Sequence, residues 1–128
     1  MAEVKRAVHR PLSPHLQIYR WHIPMLTSIL TRVTGNALIV AALLGIWWLT
    51  AAATSPEAFA LADGVVRSWL GQLVMLGALW AVWYHYLAGL RHLYYDAGKG
   101  LDIPTAEKLG IACLGGSVVL TVITLLIV

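Results

Sequence analysis

Three stretches of this chain contain no Asp, Glu, Lys or Arg, and each is long enough to cross a lipid bilayer. The first lies between Arg32 and Glu57 and is almost wholly apolar from Val33 to Ala53. The second fills the interval between Arg67 and Arg91, and the third is everything after Lys108, Leu109 to Val128. A hydrocarbon core about 30 Å thick needs about 20 residues rising about 1.5 Å each. Helices buried in a soluble bundle would carry a polar face, which these stretches lack. Composition agrees, with 59% hydrophobic and 12% charged residues, against about 45–50% and about 25% in an ordinary soluble domain. The expected fold is an all-α integral membrane protein with three transmembrane helices. The spans fall near residues 25–52, 68–94 and 109–128, after an arm over residues 1–24.

Several function classes drop out. The arm contains Pro11, Pro14 and Pro24 and no apolar run followed by a cleavage site, so it does not read as a secretory signal. The single cysteine, Cys113, lies inside the third span, which excludes a disulfide framework, and there is no CxxCH for covalent haem attachment. No GxGxxG element for FAD and no cysteine set for iron–sulfur clusters is present. The net charge of +3 is small and sits beside the membrane. It bears on topology, not on nucleic acid.

Lys5, Arg6, Arg10 and Arg20 crowd the arm, with Arg32 just beyond, and Arg91, Lys99 and Lys108 flank the second connection. The first connection, Thr54 to Arg67, offers only Arg67. By the positive-inside rule the N-terminus is cytoplasmic and the C-terminus periplasmic. Trp47, Trp48 and Trp69 then mark the outer interface, and Tyr94 and Tyr95 the inner one. Ser55-Pro56-Glu57 is a helix-start pattern with Pro at the first helical position. Gly98, Gly100 and Pro104 break the second connection, with Thr105 to Glu107 placed to open the third helix.

His85 is the only histidine well inside a span, eleven residues or roughly 16 Å of helix rise before Asp96. Ionisable residues at such depth are rare and usually functional. His85, Ala88, Gly89 and His92 share a face, and the two small residues leave a recess that a macrocycle could approach. Imidazole is a standard axial ligand of haem iron. A histidine that merely hydrogen-bonds a neighbouring helix fits the same spacing, and the residues alone leave both readings open. A six-coordinate b-type haem needs two opposed histidines, yet His9 and His15 lie in the arm and His22 precedes the first span. Any second ligand must come from another chain.

Arg32 sits in an apolar helix with Ser28 one turn earlier on the same face. It could pair with a haem propionate or quinone oxygens, or snorkel to the headgroups, its ordinary fate. Arg91, Asp96, Lys99 and Asp102 read as solvated boundary charges. Trp80 and Trp83 read as packing residues. Ala112 with Gly116, and Cys113 with Ser117, are small-xxx-small pairs that suit close helix packing.

Two segments resemble the cytochrome b subunit family of succinate dehydrogenase, the large membrane anchor of respiratory complex II. One is Arg10-Pro11-Leu12-Ser13-Pro14-His15-Leu16 continuing to Ser28-Ile29-Leu30-Thr31-Arg32-Val33-Thr34-Gly35. The other, His85 to Gly98, matches the family pattern H-x3-G-x-R-H-x3-D at every defined position. The resemblance covers essentially the whole chain. It implies that His85 is the axial ligand of one haem b, shared with a histidine of a second, smaller membrane anchor subunit. It also implies that Arg32 and His92 belong to the haem environment and that Ser28 and Arg32 line a site for ubiquinone or menaquinone. Thr31 stands where the family usually has a histidine, which touches one propionate contact and the proton route to quinone but not the ligand.

The function so implied is electron transfer by an anchor subunit that is not catalytic alone. Succinate oxidation falls to an FAD-containing flavoprotein and an iron–sulfur subunit. The lipid bilayer is the remaining partner, with no nucleic acid. The lack of a transit peptide favours a bacterial inner membrane over a mitochondrial one. One rival is a haem-free structural anchor of a related quinone-linked complex. Another, a small transporter or channel subunit, should string polar residues through the whole membrane, whereas the ionisable ones here gather on one side.

Overall fold

The computed structural model describes residues 10–128 and folds into four helices: α1 (Ile23–Thr54), α2 (Pro56–Arg67), α3 (Trp69–Asp96) and α4 (Ile103–Ile127). Among the described residues there is no strand. His9, Lys5 and Arg6 lie outside the described residues. Helices α1, α3 and α4 are long and apolar enough to cross a membrane, in accord with the expected all-α, three-span fold.

The helix ends follow from local chemistry. Helix α1 begins two residues earlier than the expected span because Pro24 sits in its first turn, where its missing N–H leaves no intrahelical bond unmade. Ser55 ends α1 and starts α2, its hydroxyl accepting from Ala58 N at 3.2 Å. The Ser55-Pro56-Glu57 signal therefore opens a real helix, and the first connection is filled by α2. Hydrogen bonds from its own backbone N–H and then from the Ser55 hydroxyl hold the Glu57 carboxyl below its ordinary range. Ser68 repeats the device between α2 and α3, accepting from Gly71 N at 3.1 Å. Gly71 has to be glycine there, because a Cβ would run into the Val65 and Val66 carbonyl oxygens.

At the other end Gly98, with φ 71°, closes α3 in a left-handed turn, and Lys99 N reaches back to Tyr94 O at 3.2 Å. Helix α4 starts at Ile103, two residues before the expected opening at Thr105 to Glu107. Asp102 caps it by accepting from Thr105 N at 3.0 Å. Pro104 lies in the first turn and does not break the helix. The Thr105 hydroxyl and then its N–H lower the Asp102 pKa, so the cap's contribution fades only as pH falls through that lowered value.

Helix α2 lies against the end of α1. Phe59 packs on Trp48 with centroids 5.5 Å apart, and Ala62 is fully buried. Asp63 accepts from Trp48 Nε1 at 3.3 Å and pairs with Arg67 at 2.6 Å. Helix α3 packs on both α1 and α4. The bundle is built inside out relative to a soluble protein: leucines, isoleucines and valines cover the outside, while Ala81, Ala88, Thr27, Thr34, Ser117 and Thr121 are buried. In lipid the apolar exterior costs nothing, and small residues let helices approach closely. Tyr84 is fully buried and donates to Thr27 O at 2.8 Å. Trp80 Nε1 donates to Ser117 Oγ and Trp83 Nε1 to Thr124 Oγ1, both at 3.0 Å. Both tryptophans are thus packing residues.

The buried stripe of α4 is Gly110, Cys113, Ser117 and Thr121. Cys113 and Ser117 behave as expected, and Gly116 lies close to Leu87. Ala112 does not, since it faces outward, and Gly110 takes its part. A Cβ on Gly110 would sit 3.0 Å from Ile23 Cγ2 and 3.1 Å from Thr27 Cγ2. Gly110→Leu should therefore overpack the α1–α4 contact and cost about 2 kcal/mol. Thermal denaturation of the detergent-solubilised assembly measures it; an unchanged midpoint would contradict the packing described.

Candidate functional site

His85 projects from α3 toward α1. Its Nδ1 lies 3.2 Å from Thr31 O and 3.2 Å from Thr34 Oγ1. The imidazole edge faces Gly35, where an added Cβ would stand 3.1 Å from Cε1. A carbonyl oxygen can only accept, so Nδ1 carries the proton. In a neutral imidazole the other nitrogen, Nε2, then holds the lone pair. Among the described residues Nε2 has no hydrogen-bond partner. This is how a ligating histidine is commonly prepared: one nitrogen tied to a carbonyl, the other left to bind metal.

The α1 side of this contact follows from a stripe of small and hydroxyl residues at helical spacing. Thr27 and Thr34 are buried and Thr31 half-buried, each returning its hydroxyl to a carbonyl of the preceding turn. Those hydroxyls are spent on their own helix, which lets them occupy the interior without lining a water path. Gly35 completes the stripe and admits the ring.

Arg32 and Ser28 occupy the neighbouring face of α1. Arg32 lies one residue from Thr31, at the depth of His85, and is exposed; Ser28 is half-buried. Among the described residues, neither the guanidinium nor the Ser28 hydroxyl is engaged by another side chain. A cation and a hydroxyl one turn apart, both open, can receive a ligand's oxygens. His92 is exposed near the end of α3, meeting the Tyr95 ring edge-on at 6.1 Å.

Two expectations need correction. Ala88 does not line a recess beside His85. It is fully buried against Tyr84 and Cys113 in the α3–α4 contact, because a residue three positions on lies about 60° round the helix from His85. Gly89 does stay open, with nothing from outside its own helix turn within 4 Å of where a Cβ would stand. Arg91 is not a solvated boundary charge. It is only 6% exposed, its guanidinium lies 5.8 Å from the Tyr95 ring centroid, and Nε has no partner among the described residues. Its position on the buried face, one turn beyond Ala88, draws it inward, and the aromatic face supplies part of the lost solvation. Asp96, Lys99 and Asp102 are exposed, as boundary charges should be.

Sequence reasoning overlooked Thr34 and Gly35 as the residues that seat His85. The signal was available: Thr27, Thr31 and Thr34 recur at four and three residues on a helix whose other residues are largely aliphatic.

Comparison with known proteins adds an independent line. A profile of the family described as succinate dehydrogenase/fumarate reductase transmembrane subunit matches residues 6–124. The succinate dehydrogenase cytochrome b556 subunit of Paracoccus denitrificans is 59% identical over 127 residues, 99% of this chain and 97% of that one. Its counterpart in Rickettsia conorii is 34% identical over 125 residues, 96% of this chain and 98% of that one. The mitochondrial succinate dehydrogenase cytochrome b560 subunit of Sus scrofa is 39% identical over 112 residues, 83% of this chain and 64% of the longer pig protein.

Proposed function

The chain belongs to the family of succinate dehydrogenase/fumarate reductase transmembrane subunits, and from that membership we propose that it is the haem-bearing anchor of a succinate:quinone oxidoreductase. The observation that carries this reading is the state of His85, with Nδ1–H donating to Thr31 O and Thr34 Oγ1 and Nε2 without a partner among the described residues. The donor set fits a haem b: an imidazole at membrane depth on the face of α3 where Gly89 stays open, with the exposed Arg32 of α1 suited to a propionate. His85 would hold the haem together with a histidine of a second, smaller anchor subunit. When bound, the haem supplies a one-electron relay.

The remaining work falls to this chain's own residues. The Ser28 hydroxyl and the Arg32 guanidinium bind the oxygens of ubiquinone or menaquinone, and the cation favours them as negative charge builds on reduction. His92 supports the haem environment. An iron–sulfur subunit delivers electrons, and a flavoprotein carries out succinate oxidation. The N-terminus and the α3–α4 connection face the cytoplasm of a bacterial inner membrane, where Arg20, Arg32, Lys99 and Lys108 concentrate. The deciding test is optical. A reduced-minus-oxidised spectrum of the purified complex should show a b-type α-band. Its absence would leave a haem-free anchor in which His85 only braces α3 against α1.

A further inference from the structure

The Thr34 side chain does more than fill the α1–α3 interface. It is 2% exposed. Its hydroxyl hydrogen is committed to Leu30 O at 2.8 Å, with Thr31 O at 3.1 Å on the same side. A hydroxyl has one hydrogen to give. The oxygen that faces His85 Nδ1 at 3.2 Å can therefore only accept. Nδ1–H is shared between two acceptors, the Thr31 carbonyl and the Thr34 hydroxyl. The first alone settles which nitrogen bears the proton. The second adds strength without changing that choice.

We infer that Thr34 is a positioning residue that tunes the electron-donating power of His85 Nε2 through the hydrogen bond it accepts from Nδ1. The inference rests on His85 being an iron ligand, as proposed above. An acceptor on the far nitrogen draws the Nδ1 proton outward and raises the basicity of the ligating one. A more basic imidazole favours ferric over ferrous iron, so Thr34 holds the midpoint potential down. The geometry also predicts what Thr34 does not do. With Thr31 O still in place, loss of the hydroxyl leaves the tautomer and the ligation intact.

Potentiometric titration of the haem in the purified complex tests this, using Thr34→Val, Thr34→Ala and Thr34→Ser. The valine is nearly isosteric, and the alanine covers the case in which valine does not assemble. Both should bind haem at wild-type stoichiometry, with the midpoint shifted upward. At a fixed ambient potential near the wild-type midpoint, the reduced-to-oxidised ratio should rise, with about fivefold as the ceiling, because only the difference in the bond's strength between ferric and ferrous iron is read. Thr34→Ser keeps the acceptor and should titrate like wild type. A role confined to helix packing would move thermal stability and leave the potential alone. Wild-type potentials in the valine or alanine variant would overturn the inference while leaving His85 as ligand. Haem retained unchanged in a His85→Ala complex would overturn both.

Discussion

Replacing His85 with alanine should abolish the low-spin b-type spectrum expected of the assembled complex. No other described histidine occupies comparable depth, since His15 and His22 precede α1 and His92 is exposed near the end of α3. Among the described residues, no other histidine is placed to hold the iron in its stead. Groups that merely orient a metal ligand are typically worth 10–100-fold in metal affinity, so losing the ligand itself should cost more than about 100-fold. The measurement is haem content and optical spectrum after co-purification with the partner subunits. An unchanged bis-histidine spectrum would remove His85 from the site and with it the case built on the protonation of Nδ1.

Arg32→Ala should come next in size. A charge-assisted hydrogen bond is worth about 1.5–3 kcal/mol, so quinone reduction should fall by about 10- to 100-fold. Ser28→Ala removes a neutral partner and should cost less, about fivefold. Arg32→Lys should recover only part of the activity, because an ammonium is a point charge without the planar fork of a guanidinium. Succinate oxidation by a soluble artificial acceptor bypasses this site and should stay near wild type in all three variants. Equal losses in both assays would mean that the complex had failed to assemble and would remove the evidence for a quinone contact.

The three spans were legible because absence of charge over about 20 residues has few other physical explanations. Their ends were less so. Pro24 and Pro104 look like barriers in the sequence, yet both fall in first turns where proline is tolerated. Ser55-Pro56-Glu57 announced α2 correctly, because a cap is a local interaction that three residues can specify. Which face of α3 turns inward was harder. Its residues are apolar almost all round, so periodicity does not distinguish lipid from protein, and Ala88 and Arg91 were read on the wrong side. His85 and Arg32 stood out by rarity alone. Thr34 did not, since a threonine in a membrane helix looks ordinary until the ring across from it is known.

Ser55 and Ser68 each end one helix and begin the next, so from Ile23 to Asp96 the backbone never runs free for more than a single residue. The short helix between them acts as a crossbar pinned at both ends to two long levers. The Trp48–Phe59 contact and the Ser68 cap tie the crossbar to both levers, at the end of the bundle away from the slot that receives the imidazole. The electron relay proposed for His85 would gain from such a clamp, because its spacing has to survive continual jostling by lipid.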